Sequence, residues 1–337
     1  MKHLVTGANG LVGAHVVLEL MRQGKAVVAG HRAGADLSEA KAFFKRWDGQ
    51  EGALFNKVNW IELDILDIPN LELAIKEVSV VYHCAGFVSF EHRDRAKMMQ
   101  INVQGTGNVV NACLLSGVTL CHVSSVAVFH NLDYKGVLDE SVYWKTSGKE
   151  SDYAVSKYGA EREVWRGIEE GLKAVIVNPA VILANGFWKR SSSRVLETIY
   201  KGNPFYTGGN TAYVAASDVA RIMVELVDKE IFSERFILAE NTYSYKSLFS
   251  MMAKALGKRE PSILLPKWFL MMAARFEKLL AWIRSKPARV TPDLVNSAYN
   301  TQTYTSAKII EKLQYKFKST PLLIEEAARF YLIDHQK

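Results

Sequence analysis

Short runs rich in β-branched and apolar residues recur along the first half of the chain, at His3–Thr6, Ala26–Gly30, Val58–Leu63, Val80–Cys84, Leu120–Ser124 and Ala174–Asn178. Longer amphipathic stretches separate them, among them Leu11–Gln23, Leu71–Glu77 and Ile101–Ser116. Strand and helix signals that alternate in this way describe βαβ units, whose parallel strands form a sheet covered by helices on both faces. Each crossover is expected to be right-handed. The pattern predicts an α/β fold built on a doubly wound parallel sheet. After Pro179 the alternation stops, and helical segments dominate, joined by glycine-containing loops such as "KGNPFYTGGN". A smaller, mostly helical C-terminal lobe is expected there. Residues 1–180 and 214–242 are assigned to the sheet domain, and 181–213 and 243–337 to the lobe.

Open sheets of this kind bind ligands beyond the carboxyl ends of their strands. The first such end reads "TGANGLVG", with Gly7, Gly10 and Gly13 at a strand-to-helix turn. Without Cβ atoms the backbone can approach a pyrophosphate, and the following helix offers free N–H groups and the positive end of its dipole. A second motif, "YAVSK", sets Tyr153 and Lys157 four residues apart. If a helix begins near Ser151 the two share one face. The pair alone does not separate a chance surface arrangement from a tyrosine prepared for acid–base work.

The chain has 337 residues, 49% hydrophobic and 23% charged, which is ordinary for a soluble globular enzyme. Its net charge of +7 is scattered, with no basic run interleaved with aromatics, so no nucleic-acid partner is expected. Cys84, Cys113 and Cys121 form an odd set without metal-ligand spacing, and reduced, mostly buried thiols are expected. "MKHLVTG" becomes strand-like at once, leaving no room for a signal peptide, so the expected location is cytoplasmic. The apolar stretch Pro266–Lys286 carries Arg275, Glu277 and Lys278 well inside it. Its apolar run is shorter than the ~20 residues a membrane span needs. Trp268, Phe269 and Trp282 would suit a membrane surface. The reading adopted is an amphipathic helix covering a pocket in the second lobe, without membrane contact.

The spacing Gly-x-x-Gly-x-x-Gly resembles that of the short-chain dehydrogenase/reductase superfamily. More of that superfamily's pattern follows in order: "LDILD" holding Asp64, "HCAG" at 83–86, "INVQGTGNVV" holding Asn102, "VSSVAVF" at 123–129, and "YAVSK". The length, "NPAVILANG" and "YVAASDVA" at 213–220 resemble the extended branch, which includes the NAD-dependent epimerase/dehydratase family. "GHRAG" and "NPAVIL" are most similar to dihydroflavonol-reductase-like and 3β-hydroxysteroid-dehydrogenase-like members. The resemblance implies a Rossmann-type sheet with a substrate-binding lobe, and an NAD(P)-dependent oxidoreductase. Three positions depart from the pattern: His130 stands where glycine is common, Ala184-Asn185 replaces Gly-Pro, and Asn178 stands where many sugar-nucleotide enzymes carry arginine.

The resemblance assigns Tyr153 as general acid and base, Lys157 as its electrostatic partner and holder of the nicotinamide ribose, and Ser125 as the hydroxyl that meets the developing alkoxide, with Ser124 as the alternative. Asn102 takes a supporting role. A free phenol titrates at about 10, so only about 0.1% is phenolate at pH 7. Lowering that by ~3 units corresponds to about 4 kcal/mol, part of which a neighbouring ammonium can supply. By position, Gly7, Asn9, Gly10, Leu11, Val12 and Gly13 would cradle the cofactor, Asp64 and Ile65 would meet the adenine, and Ala85, Gly86, Asn178, Pro179 and Val181 would lie along the nicotinamide side. No metal is assigned, because His83, Cys84, His92, His122 and His130 are scattered.

In this fold a carboxylate ending the second strand takes the ribose 2′-hydroxyl of NAD. Here that strand ends in "AGHRAGAD", with His31 and Arg32 at the tip and no acid before Asp36. A guanidinium there suits a 2′-phosphate, so NADP(H) is the expected cofactor, with NAD(H) served by Asp36 as the alternative. Phe87, Phe90, Phe129, Trp144, Phe187, Trp188, Phe205 and Tyr206 crowd segments expected near the nicotinamide, although the second lobe's core claims part of the set. They favour reduction of a hydrophobic or aromatic ketone or aldehyde, or oxidation of the alcohol. Lys189, Arg190 and Arg194 keep open a nucleotide-sugar epimerase using the same residues, and a non-catalytic dinucleotide sensor is the alternative from another class. Family analogy also implies a homodimer through helices corresponding to Asn102–Ser116 and Tyr153–Gly171.

Overall fold

The computed structural model describes residues 2–48, 53–129, 134, 136–188, 194–284 and 290–335. His130, Lys189 and Arg190 lie outside these residues, as do the side chains of Lys278 and Trp282. The strands are β1 (Lys2–Thr6), β2 (Ala26–His31), β3 (Asn59–Glu62), β4 (Val80–His83), β5 (Thr119–Val123), β6 (Ala174–Pro179), β7 (Val181–Leu183), β8 (Phe205–Tyr206), β9 (Asn210–Ala215), β10 (Glu234–Leu238), β11 (Asn241–Ser244) and β12 (Ile263–Leu264).

Seven of them form one sheet in the order β10-β6-β5-β4-β1-β2-β3, with every neighbouring pair parallel. This is the doubly wound Rossmann arrangement expected from the alternating pattern, with β10 added at one edge. The sequence runs do not reveal β10, because Glu234 and Arg235 shorten its apolar signal to Phe236–Leu238.

Successive side chains of a strand point to opposite faces. Val5, Tyr82, Cys121 and Val175 accordingly pack with Val16, Val17 and Leu20 of helix Leu11–Arg22 and with Val219 and Met223 of helix Ala216–Asp228. Leu4, Val81, Leu120 and Ile176 pack on the other face with Leu71 and Ile75 of helix Ile68–Ile75, Val109 and Cys113 of helix Gly105–Ser116, and Val164 of helix Asp152–Glu169. Both faces are covered, which is why the strands read as continuous apolar runs rather than alternating ones.

A second core joins Leu183, Leu196, Ile199, Tyr213, Leu248, Met252, Leu323, Ile324 and Tyr331. It is built from β7 and β9 together with helices Arg194–Tyr200, Tyr245–Ala255 and Thr320–His335. Helix Lys267–Arg284 differs from the expected cover over a pocket: Trp268, Phe269, Met272 and Phe276 face solvent, while Ala274 is buried. Among the described residues no helix is long and apolar enough to cross a membrane.

Candidate active site

The strand order reverses between β1 and β4, and their carboxyl ends open the crevice where such sheets bind ligands. Gly7 leaves β1 with φ +63°, and a Cβ there would come within 2.8 Å of the Ala85 Cα. A Cβ on Gly13 would lie 2.3 Å from the Gly7 carbonyl oxygen. Gly10 caps helix Leu11–Arg22 without a side-chain hydrogen bond, so no side chain of the cap claims the N–H groups of the first turn. Asn9, Leu11 and Val12 are half-buried along the same turn. This close-packed turn, opening onto free N–H donors at a helix start, fits the pyrophosphate of a dinucleotide.

At the end of β2 the His31 Nδ1 lies 3.0 Å from the Arg32 carbonyl oxygen, and the Arg32 side chain is exposed. Asp36 is turned elsewhere: its two carboxylate oxygens accept from the Ser38 amide (2.8 Å) and hydroxyl (2.9 Å) at the entry to helix Ser38–Asp48. Beyond β3, the exposed Asp64 accepts from the Leu66 amide at 2.9 Å, while Ile65 buries its side chain against Gly105. The Ala85 amide donates to the Thr6 hydroxyl at 3.2 Å, and Gly86 is exposed beside it. His83 is held between Thr6 (2.8 Å) and Thr106 (3.0 Å), and burial pushes it down to about 3, so it stays neutral.

Ser151 caps helix Asp152–Glu169 by accepting from the Ala154 amide, which fixes where the helix starts. Tyr153 and Lys157 then share the face turned to the end of β5. The Ser125 hydroxyl neighbours the Tyr153 phenol and accepts from the Ala127 amide at 3.2 Å. Burial raises the phenol's pKa and the neighbouring Ser125 hydroxyl opposes the rise, so at neutral pH the tyrosine is a proton donor in waiting. The Lys157 ammonium donates to the Val123 carbonyl oxygen at 2.7 Å. Desolvation lowers it to about 8, against the attraction of Glu161 and Cys84.

The adjacent Ser124 reaches further along the same helix and donates to the Glu161 carboxylate at 2.6 Å. Asn178 joins it there, donating to Glu161 at 2.7 Å and to the Ser125 carbonyl at 3.3 Å, while Pro179 is buried and Val181 half-buried. Asn102 sits on a π-helical turn, Met99–Gln104, where a single helix Ile101–Ser116 was expected. It clasps the Phe87 backbone, accepting from its amide at 2.7 Å and donating to its carbonyl at 2.9 Å, and donates to the Ser156 hydroxyl at 3.0 Å.

Sequence reasoning missed Glu161 and Arg235, an ion pair at 3.1 Å behind the serines. Glu161 stands one helical turn beyond Lys157, a spacing that was readable. Arg235 lies on β10, and nothing local signals it.

The aromatic set disperses. Phe90 approaches the Tyr153 ring, with centroids 6.4 Å apart. Phe187 packs on Phe43 in the sheet domain's core, Phe129 is buried under Arg235, and Trp188 meets Tyr331. Trp144 stacks on Tyr158 at 4.5 Å, and Phe205 and Tyr206 form strand β8. Arg194 is exposed at the start of its helix. Among the described residues no three His, Cys, Asp or Glu side chains converge as a metal set.

The sequence pattern of the NAD dependent epimerase/dehydratase family matches residues 3–237. The chain is 27% identical to sterol demethylase protein B of Methylococcus capsulatus over 79% of its own length and 78% of that protein's. It is 28% identical to tetraketide alpha-pyrone reductase 1 of Arabidopsis thaliana, covering 82% of this chain and 85% of that one. The crystal structure of gox2253 superposes with a TM-score of 0.81 at 25% identity, covering 99% of both chains. With its fold, glycine turn and sequence pattern in agreement, the chain belongs to the NAD-dependent epimerase/dehydratase family and is an NAD(P)-dependent enzyme of the extended short-chain dehydrogenase/reductase type.

Proposed function

We propose that the enzyme is an NADP(H)-dependent reductase of hydrophobic or aromatic ketones or aldehydes, able to oxidise the alcohol in reverse. The observation that carries this reading is the convergence of the Ser125 hydroxyl, the Tyr153 phenol and the buried Lys157 ammonium where helix Asp152–Glu169 meets the end of β5. The backbone from Gly7 to Gly13 would hold the pyrophosphate, Arg32 the 2′-phosphate, Asp64 the adenine amino group and Lys157 the nicotinamide ribose. When bound, the nicotinamide supplies the hydride that reaches the carbonyl carbon. Tyr153 gives its phenolic proton to the carbonyl oxygen, and the phenolate left behind is stabilised by the Lys157 charge. Ser125 donates to the same oxygen as negative charge develops there. Phe90, against the Tyr153 ring, supports an apolar substrate, as do the pyrone-reductase and sterol-related relatives.

The test is a panel of aromatic and alicyclic carbonyl compounds with NADPH, followed by cofactor absorbance. Net consumption with at least one of them is expected. Redox-neutral isomerisation of a nucleotide sugar without net consumption would replace this reading by an epimerase. Tight cofactor binding with neither reaction would make the protein a sensor.

A further inference from the structure

Glu161 is 2% exposed, and its carboxylate receives donors from four directions. Ser124 and Asn178 donate to Oε2 at 2.6 and 2.7 Å, and Arg235 and Trp165 donate to Oε1 at 3.1 and 3.4 Å. A buried carboxylate is tolerated only when paired and hydrogen-bonded, and both conditions are met here. Arg235 is itself anchored: it donates to the carbonyls of Glu140 (2.8 Å) and Val142 (3.0 Å) and lies over the Phe129 ring at 4.4 Å.

The network touches Ser125 from two sides. Ser124 is its chain neighbour, and Asn178 donates to the Ser125 carbonyl while also donating to Glu161. The same Glu161 rides the helix that carries Tyr153 and Lys157. We propose that Glu161 is a positioning residue: it ties the strand end holding Ser125 to the helix holding Tyr153 and is the anion that balances the buried Lys157 ammonium. The proposal rests on the reading of Ser125, Tyr153 and Lys157 as the reacting set.

The charged and titratable groups around Lys157 are Glu161 on its own helix, His83 at the end of β4 with Cys84 just after it, and His122 from β5. Burial keeps both histidines neutral and pushes the Cys84 thiol up to about 12, so among these described groups Glu161 alone bears a negative charge at neutral pH. Removing it makes both the Lys157 ammonium and the Tyr153 phenol easier to deprotonate. Removing Arg235 does the reverse.

Glu161→Gln and Arg235→Gln, made in the full chain, are compared with the wild type for kcat, KM and their pH dependence. The substrate is an aromatic aldehyde that the wild type reduces with NADPH. Glu161→Gln is expected to lower kcat about ten- to a hundredfold with KM little changed. Its alkaline limb should move down by about one pH unit. For Arg235→Gln the limb should move up. Opposite displacements do not arise from a loosened fold. Limbs that stay in place, or move the same way, overturn the proposal.

If either variant fails to fold, Ser124→Ala removes a donor but no charge. It should lower kcat severalfold and leave the limb in place, and an unchanged kcat overturns the positioning role. NADPH titration followed by fluorescence separates this from the functional reading. Should the wild type reduce no carbonyl compound, Glu161→Gln must still lose NADPH affinity from a lower pH than the wild type does.

Discussion

The Lys157 ammonium donates to the Val123 carbonyl oxygen at 2.7 Å, across the junction between helix Asp152–Glu169 and the end of β5. Val123 immediately precedes the two serines, so the bond registers the lysine against the strand end that holds Ser125. An ammonium has three donors, and this is the one hydrogen bond it makes among the described residues. Its charge is drawn toward Glu161 and Cys84.

Removing only the phenolic hydroxyl tests the proton donor directly. Tyr153→Phe keeps the ring beside Phe90 and should lower turnover by about 10²–10⁴. Dinucleotide affinity measured by fluorescence titration should change by less than about twofold, since one phenol contributes little to a site dominated by pyrophosphate contacts. Retention of most of the activity would remove Tyr153 from the mechanism.

Lys157 should leave a signature in stability. Buried, it gives up its proton at about 8, whereas an ordinary lysine holds it to 10.5. Between those values the unfolded chain binds more protons, so the folded state gains stability as pH rises through that window. Lys157→Met, which lacks the charge, should be the more stable protein at pH 7.5. Its advantage should shrink by up to about 3 kcal/mol by pH 10.5. Urea denaturation at both pH values measures the gap, and a gap independent of pH contradicts a depressed lysine.

Two glycines separate close approach from backbone conformation. Gly13→Ala would press a methyl to 2.3 Å from the Gly7 carbonyl, so the turn must move. A loss of about 1–3 kcal/mol in stability is expected, together with dinucleotide affinity. Gly24 has φ +70° and open space around it. Gly24→Ala should cost about 1–2 kcal/mol and leave dinucleotide binding intact. Thermal melts with and without NADPH distinguish the two.

Arg32 decides between the two dinucleotides under the proposed function. Arg32→Ala should weaken NADPH about ten- to a hundredfold and leave NADH nearly unchanged. Isothermal titration of both cofactors reads this. Equal wild-type affinities would shift attention to Asp36, which would first have to leave Ser38.

What was legible in the sequence was local. The strand and helix periods, the glycine turn after β1 and the four-residue spacing of Tyr153 and Lys157 depend on residues close together in the chain. Backbone geometry converts such spacings into structure almost without further help. The first helix followed the same logic, whereas the expected Leu71–Glu77 starts at Ile68, capped by Asp67, and ends at Ile75, and at Asn102 a π-helical turn interrupts a pattern that reads as one helix.

Tertiary structure decided everything that depends on partners distant in the chain. Ser124 and Ser125 are indistinguishable as letters. They are separated only by where the folded chain sets each hydroxyl along helix Asp152–Glu169, one reaching Glu161 and the other lying beside Tyr153 two turns earlier. The Glu161–Arg235 pair exists because β10 closes the sheet beside β6 and brings a late arginine behind the site. The eight aromatic residues look alike in the sequence. Packing takes Phe187 and Phe129 into cores and leaves Phe90 against the tyrosine, because burial is settled by the whole surface a side chain must share and not by its identity.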